Sequence, residues 1–199
     1  MNRKRAHSES DSEFKLNKKI KYQGCAIILM GLPGSGKSYL SPKIINHINK
    51  IVDNQYQYIN LNPDNVKING IFNILKTLSI KCRIITKKLS DIFKSSNPQS
   101  FIYDGTGSNK STYNYIIKNC KNKDYQLFLV YIKTPLEKAL ERNQIRSRKV
   151  DHKFITKYSK YIDNNFEYYK KQNINYFVID NSEIFDKELK IIDSKIEKN

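Results

Sequence analysis

An eight-residue segment, residues 31–38 with the sequence GLPGSGKS, constrains the fold of this chain more than any other part. It fits the pattern G-x-x-x-x-G-K-[ST] without a mismatch, and it stands between a short apolar run at 25–30 and a helical pattern at 37–51. Glycines let several main-chain N–H groups point inward at phosphate oxygens, and the N-terminus of the following helix favours an anion. The segment therefore predicts a phosphate-binding loop, or P-loop, between a buried strand and a helix.

Each position of this loop has an expected contact with a nucleotide. The Lys37 ammonium is expected to reach the β- and γ-phosphates, and the Ser38 hydroxyl is expected to ligate Mg²⁺. ATP and Mg²⁺ are accordingly the predicted cofactors. The predicted nucleotide-binding residues of the loop are Gly31, Leu32, Pro33, Gly34, Ser35, Gly36, Lys37 and Ser38.

Apolar runs separated by helical patterns continue along the chain. Five runs, at 25–30, 56–61, 100–103, 126–132 and 176–179, predict strands. Helices are predicted at 37–51, 66–78, 79–95, around 113–120, from a capping box at 134–137, at 153–171, and in a closing segment marked by Phe185, Leu189, Ile192 and Ile196. Buried strands alternating with helices predict an α/β three-layer sandwich, a five-stranded parallel sheet with helices on both faces.

Length and charge bound the organisation of the chain. Its 199 residues suggest one domain, here residues 22–199, after a polar and basic segment 1–21 that predicts a disordered tail. The net charge of +17 favours nucleic acid or another polyanion as a partner, although 30 of the 36 basic residues are Lys, a bias that AT-rich coding also produces. Without an apolar run of membrane-spanning length, an intracellular location is expected, cytoplasmic or, through the basic tail, nuclear, with no membrane partner.

Two aspartates follow predicted strands. Asp104 closes the apolar run at 100–103 and is the expected acid at the metal, as Mg²⁺ prefers carboxylate and phosphate oxygens. Asp64 follows the second strand and would accept the proton of an attacking hydroxyl, although either aspartate alone could simply form a turn or cap a helix. Lys67 and Thr106, near them in sequence, are candidate substrate contacts.

Three of the six arginines lie within seven residues: Arg142, Arg146 and Arg148. Arg142 and Arg146 are spaced i and i+4, so a helix would place them on one face, where they could act as a short lid over the transferring phosphoryl group. Arg142 is also a candidate nucleotide contact and Arg148 a candidate substrate contact. A solvated basic face paired with Glu141 is the alternative.

Four segments together resemble the zeta-toxin/polynucleotide-kinase branch of the P-loop kinases: GLPGSGKS, NPDNVK, YDGTG and LEKALERNQIRSR, in that order. The resemblance implies strand order 2-3-1-4-5, phosphate and metal roles for Lys37 and Ser38, Asp64 as the base, Asp104 at the metal and Arg142 with Arg146 as the lid. That family often has Arg three residues after the base, where this chain has Lys67. Its members act on nucleotide sugars, RNA or DNA 5′-hydroxyls, or small molecules.

The expected function is therefore transfer of the γ-phosphoryl group of ATP to a hydroxyl acceptor. A polynucleotide 5′-hydroxyl kinase is one alternative, and a nucleotide-dependent nucleic-acid-binding protein with slow or absent ATP hydrolysis is another. A nucleoside monophosphate kinase fits less well, because Arg83 is the only arginine between the P-loop and the third predicted strand. The acceptor and the oligomeric state stay open.

Overall fold

A computed structural model describes residues 22–67, 74–183 and 189–196 of the chain. The predicted tail 1–21 and Phe185 lie outside the described residues. In chain order the elements are β1 (Gly24–Met30), α1 (Lys37–Ile51), β2 (Tyr58–Leu61), a 3₁₀ turn (Pro63–Asn65), α2 (Ile74–Lys94), β3 (Ser100–Asp104), α3 (Lys110–Asn122), β4 (Tyr125–Lys133), α4 (Leu136–Gln144), α5 (His152–Lys170), β5 (Asn175–Asp180) and β6 (Ile191–Lys195).

The strands form one sheet in the order β2-β3-β1-β4-β5-β6. The first five are parallel to their neighbours, in the order that the family resemblance implies. The sixth, β6, pairs antiparallel with β5. The prediction of a five-stranded sheet is therefore wrong by one edge strand.

The additional strand lies where a closing helix was predicted. Leu189, just before β6, and Ile191, its first residue, pack against the core on one face of the sheet. Asp193 accepts a hydrogen bond from Lys170 Nζ of α5 at 2.9 Å, which ties β6 to the neighbouring helix. The helical spacing of Leu189, Ile192 and Ile196 was misleading, because pairing with β5 decides the conformation here.

The sheet separates two hydrophobic cores, and β1 supplies both through strict alternation. Ala26, Ile28 and Met30 face the core that α2, α3, α4 and α5 cover. Cys25, Ile27 and Leu29 face the core that α1 covers. Helices on both faces confirm the predicted layering, and they leave the carboxyl ends of the parallel strands open for ligands.

One helix, α2, replaces part of the two helices predicted at 66–78 and 79–95. Residues 66 and 67 precede it as coil, and 68–73 lie outside the described residues. The buried side chains Ile85, Leu89 and Ile92 continue one helical face, and α2 contains neither Gly nor Pro that would end it. The predicted break at residue 79 is therefore wrong.

The predicted capping box at the start of α4 is also absent. The helix begins at Leu136, and Pro135 occupies the N-cap position without a side-chain hydrogen bond. The Thr134 hydroxyl instead faces the carbonyl oxygens of Ser35 at 3.4 Å and Asn181 at 3.5 Å. The Thr134 hydroxyl thus contacts residues distant in sequence and not the N-terminus of the helix that the local pattern predicted it to cap. Among the described residues, no helix has the length and apolar character needed to cross a membrane.

Candidate active site

The P-loop joins β1 to α1 and is held closely on two sides. Gly34 and Gly36 have φ angles of +88° and +85°, which residues with a side chain rarely adopt. A Cβ at Gly34 would collide with the carbonyl oxygen of Ala139 in α4, and one at Gly36 would lie 2.5 Å from Asn181 Nδ2. Glycine is therefore required at both positions for the loop to fit between α4 and the segment after β5.

The Lys37 side chain folds back over the loop that precedes it. Its Nζ donates to the carbonyl oxygens of Gly31 at 2.8 Å and Leu32 at 3.0 Å. These bonds fix the ammonium at the mouth of the loop, where a triphosphate would meet it.

Burial and three charged side chains influence the pKa of this ammonium. Burial lowers the pKa of Lys37 to about 8, and the carboxylate of Asp104 opposes that shift. Arg146 lowers the same pKa further, and Asp64 raises it. The predicted base, metal ligand and one lid arginine thus all lie near enough to influence Lys37.

A chain of hydrogen bonds links the P-loop helix to the segment after β2. Ser38 Oγ donates to Asp104 Oδ2 at 2.8 Å, and Asn62 Nδ2 donates to the same oxygen at 3.0 Å. The other end of the amide, Asn62 Oδ1, accepts from the Asp64 N–H at 2.7 Å. Asp104 is buried, with 8% of its surface exposed, so these donors replace the water that the carboxylate loses. Asn62 was not among the residues predicted from sequence.

The donor set around Ser38 fits Mg²⁺. One hydroxyl and one carboxylate oxygen lie next to the phosphate cradle, and Mg²⁺ is usually held by one or two carboxylates together with phosphate oxygens and water. Among the described residues there is no group of three or more His, Cys, Asp or Glu that would form a metal site by itself. A metal at Ser38 and Asp104 would therefore depend on bound phosphate for part of its coordination.

Asp64 and Arg148, predicted as base and substrate contact, form an ion pair. Arg148 Nη1 lies 2.5 Å from Asp64 Oδ1, with both side chains about half exposed. Lys67 is exposed in the coil after the 3₁₀ turn. The pair brings the α4–α5 loop against the segment after β2.

The two predicted lid arginines do not share a helix face. α4 ends at Gln144, so Arg146 lies in the loop beyond it, where it is exposed. Asn143 holds this loop in place, because its side chain bonds both the N–H and the carbonyl of Val150, at 3.0 and 2.7 Å. The predicted i, i+4 arrangement is therefore wrong.

Arg142 is directed at the segment after β5. Its Nη1 donates to the Asn181 carbonyl at 2.9 Å and its Nη2 to the Ser182 carbonyl at 3.4 Å, while its buried Nε lacks a hydrogen-bond partner. Asn181 in turn donates from Nδ2 to the Ser35 carbonyl of the P-loop at 2.8 Å. Asn181 was not predicted from the sequence, although a polar residue two positions after the fifth predicted strand is a signal that could have indicated it.

The segment after β3 supports the other side of the P-loop. The Thr106 carbonyl accepts from the Gly31 N–H at 3.1 Å, and its hydroxyl lies 2.8 Å from Ser108 Oγ. Gly107 has a φ of +87°, and a Cβ there would collide with Met30. The predicted contact of Thr106 with substrate stays a prediction, since the residue's bonds are to the protein itself.

This arrangement has a counterpart among known sequences. A family model described as "Chromatin associated protein KTI12" matches residues 25–188, most of the 199-residue chain and all of the site above. The chain belongs to this KTI12 family. A search of curated protein sequences found no significant match.

Solved structures share the fold of this KTI12-family chain. The AvrRxo1-ORF1:-ORF2 structure with ATP is 16% identical with a TM-score of 0.61, over 80% of this chain and 55% of that one. The PezAT toxin-antitoxin system of Streptococcus pneumoniae is 19% identical with a TM-score of 0.57, over 83% and 71%. The Pnkp1/Rnl/Hen1 RNA repair complex is 17% identical with a TM-score of 0.56, over 76% and 48%.

These likenesses show a P-loop kinase fold. The chain spans little more than half the length of the chain that it matches in the AvrRxo1-ORF1:-ORF2 structure. Membership of the zeta-toxin/polynucleotide-kinase branch stays a prediction, because at these identities the likeness extends to the fold alone.

Proposed function

We propose that this chain is a phosphotransferase that uses ATP and Mg²⁺ and moves the γ-phosphoryl group to a hydroxyl acceptor. The observation that carries the proposal is the grouping of Asp64 and Asp104, joined through Asn62, next to the P-loop. Asp104 accepts from Ser38, and both carboxylates act electrostatically on Lys37. Asp64 supplies the second carboxylate, and its exposed side chain could exchange Arg148 for an acceptor hydroxyl.

Each residue then has one task in the proposed transfer. The P-loop N–H groups and Lys37 hold the β- and γ-phosphates. Ser38 and Asp104 hold Mg²⁺, which neutralises charge on the phosphate oxygens when it is bound. Asp64 accepts the proton of the acceptor hydroxyl while the acceptor oxygen forms a bond to the γ-phosphorus. The bond between the γ-phosphorus and the oxygen that bridges it to the β-phosphate breaks, and ADP leaves.

Arginines near the site would balance the charge that develops. Arg146, exposed in the loop after α4, acts electrostatically on Lys37 and would be the arginine for the transferred oxygens. Arg142 would support the nucleotide side through Asn181, and Arg148 would meet the acceptor beside Asp64. The AvrRxo1-ORF1:-ORF2 structure with ATP supports ATP as the nucleotide.

The test is transfer of label from γ-labelled ATP to a panel of acceptors: nucleotide sugars, nucleosides, and RNA and DNA oligonucleotides with 5′-hydroxyl ends. We expect the wild-type chain to give labelled product with one class of acceptor, and the Lys37→Ala variant to give none with any of them. ATP binding without a labelled product from any acceptor would contradict it and favour a nucleotide-dependent binding protein.

One surface favours a polynucleotide as the acceptor. Along α5 the rings of Phe154 and Tyr158 have centroids 4.1 Å apart, and those of Tyr158 and Tyr161 5.9 Å apart. Phe154 and Tyr161 are 38% and 53% exposed, so part of each ring is accessible to solvent. Interleaved, exposed lysines add positive charge, at Lys153, Lys157 and Lys160.

Aromatic rings and lysines in this arrangement suit a single strand, whose bases stack while its phosphates pair with ammonium groups. The loop that carries Arg146 and Arg148 leads directly into α5, so a strand lying on the helix could present its end to Asp64. The family's description as chromatin associated and the RNA repair complex among the similar folds agree with a nucleic-acid acceptor and an intracellular location.

Binding of labelled 5′-hydroxyl RNA and DNA by fluorescence anisotropy tests this surface. In a Phe154→Ala/Tyr161→Ala double variant, the affinity for the oligonucleotide should fall by a factor of about ten or more, since a stacked base contributes about 1–3 kcal/mol. A Lys157→Ala/Lys160→Ala variant should also bind weakly, whereas Lys87→Ala/Lys88→Ala on exposed positions of α2, with the same charge removed, should not. Equal losses in both lysine pairs would indicate unspecific charge attraction.

A further inference from the structure

We propose that Asn62 is a positioning residue that joins the Mg²⁺ site at Asp104 to the turn that carries Asp64. The inference rests on the proposed function, in which those two carboxylates hold metal and acceptor. It concerns a residue without a reacting atom, whose side chain lies between the two.

Strand register explains why Asn62 meets Asp104. In the parallel pair β2 and β3, Leu61 is the partner of Tyr103. Asn62, the residue after β2, and Asp104, the last residue of β3, therefore lie side by side at the carboxyl edge of the sheet. Asn62 keeps an extended backbone, with φ −106° and ψ 119°, and it is also the N-cap of the 3₁₀ turn at Pro63–Asn65.

The side-chain amide uses both of its ends. Nδ2 donates to Asp104 Oδ2 at 3.0 Å, and Oδ1 accepts from the Asp64 N–H at 2.7 Å. The partners fix this orientation, because a carboxylate can only accept and an N–H can only donate. Aspartate could cap the turn but would lack the donor, and serine offers one short hydroxyl for two distant groups.

Two donors on one carboxylate oxygen hold the Asp104 side chain in a single orientation, with Ser38 Oγ as the second donor at 2.8 Å. Because the same amide also accepts from the Asp64 N–H, the main chain of the turn that carries the proposed base is tied to the metal ligand. Groups that orient a metal ligand from outside typically change metal affinity 10- to 100-fold when they are removed. Asn62 should therefore set the affinity for Mg²⁺ in the nucleotide complex.

The experiment measures binding of a fluorescent ATP analogue to the full chain, first in EDTA and then during titration with MgCl₂. For Asn62→Ala, the MgCl₂ midpoint should rise about 10- to 100-fold, while the affinity in EDTA stays within about twofold because the P-loop is intact. Asn62→Ser should show the same rise, since its hydroxyl can still accept from the Asp64 N–H as an N-cap, adds no charge, and is too short to donate to Asp104 as well. Asn60→Ala, at an exposed position of the same strand, is the matched control and should leave the midpoint unchanged.

The outcomes separate this inference from the proposed transfer reaction. The readout is binding, so a chain that phosphorylates none of the acceptors can still show the shift in midpoint. An unchanged midpoint in Asn62→Ser overturns the inference, and so does an equal loss of affinity in EDTA and in MgCl₂, which would indicate general damage to the site. If Asn62→Ala does not fold, Asn62→Ser decides, because it retains the turn's cap.

Discussion

Arg148 pairs with Asp64, its Nη1 atom 2.5 Å from Oδ1 of the carboxylate. The arginine belongs to the loop after α4 and the aspartate to the turn after β2, so the pair spans the proposed acceptor side of the site. Both side chains are about half exposed, and exposed ion pairs contribute little to stability. An acceptor could therefore displace the arginine at little cost.

Replacing Arg148 by alanine should separate stability from function. We expect the free energy of unfolding to change by less than about 1 kcal/mol, because the pair is exposed to solvent. The KM for the acceptor should rise while ATP affinity stays unchanged. Denaturant unfolding and steady-state kinetics measure the two effects, with Lys149→Ala as a control at the adjacent exposed position. A large loss of stability would show that the pair is structural.

Asp64→Asn should remove the proposed base while it retains the shape of the side chain. Turnover is expected to fall by about 10²–10⁴, the usual contribution of a general base, with nearly unchanged ATP binding. Single-turnover transfer and calorimetric titration with ATP are the measurements, and Asp91→Asn on exposed α2 surface is the matched control. Wild-type turnover in the Asp64→Asn protein would exclude Asp64 from the mechanism.

Binding of ATP should become dependent on pH through Lys37. Burial lowers the pKa of this lysine to about 8, so in the free protein the amine loses its proton above that pH. Phosphate charge stabilises the ammonium, so binding should take up a proton above pH 8 and affinity should fall by up to about tenfold per pH unit there. Calorimetry at pH 8.5 in two buffers of different ionisation enthalpy measures that uptake.

Two further measurements check the assignment to Lys37. Proton uptake should disappear at pH 6, where Lys37 is already charged, and in Lys37→Met. An unfolded lysine titrates near pH 10.4, so the unfolded chain binds more protons than the folded one between about pH 8 and 10.4. The contribution of Lys37 to stability should therefore become more favourable as the pH rises through this range. Uptake that persists in Lys37→Met would assign it to another group.

Asn181→Ala should loosen the P-loop without touching its sequence. The variant loses the hydrogen bond from Nδ2 to the Ser35 carbonyl at 2.8 Å, and unfolding should become easier by about 1–3 kcal/mol if that carbonyl is left without a partner. ATP affinity should fall as well, because the loop's N–H groups lose part of their fixed orientation. Thermal unfolding and nucleotide titration test this against Asn54→Ala, an exposed asparagine after α1. Unchanged ATP affinity would show that Thr134 suffices to hold the loop.

Local patterns were sufficient where the structure depends on residues close in sequence. The P-loop connects one strand directly to one helix, and the spacing of its glycines predicts the backbone conformation of the loop. Asp104 could be predicted as the end of a buried strand for the same reason. The parallel order of the first five strands came from the family resemblance and agrees with the sheet.

Predictions failed where distant segments compete for a residue. Thr134 does not cap α4 as expected, because its hydroxyl faces the carbonyl of Ser35, a residue 99 positions away in sequence. Arg146 left its expected helix face because the Asn143–Val150 bonds end α4 early. The closing segment became β6 because the edge of β5 was open for pairing.

By itself, then, the sequence determined a P-loop, a sheet whose strands alternate with helices on both faces, an aspartate at the end of β3 and another shortly after β2. Only tertiary structure decided that Asn62 bridges the two aspartates, that Asn181 holds the loop and that Arg148 pairs with Asp64. The physical reason is that glycine conformations and apolar periodicity act over a few residues. The partner of a polar side chain, by contrast, is chosen among all groups that the fold brings within hydrogen-bonding distance.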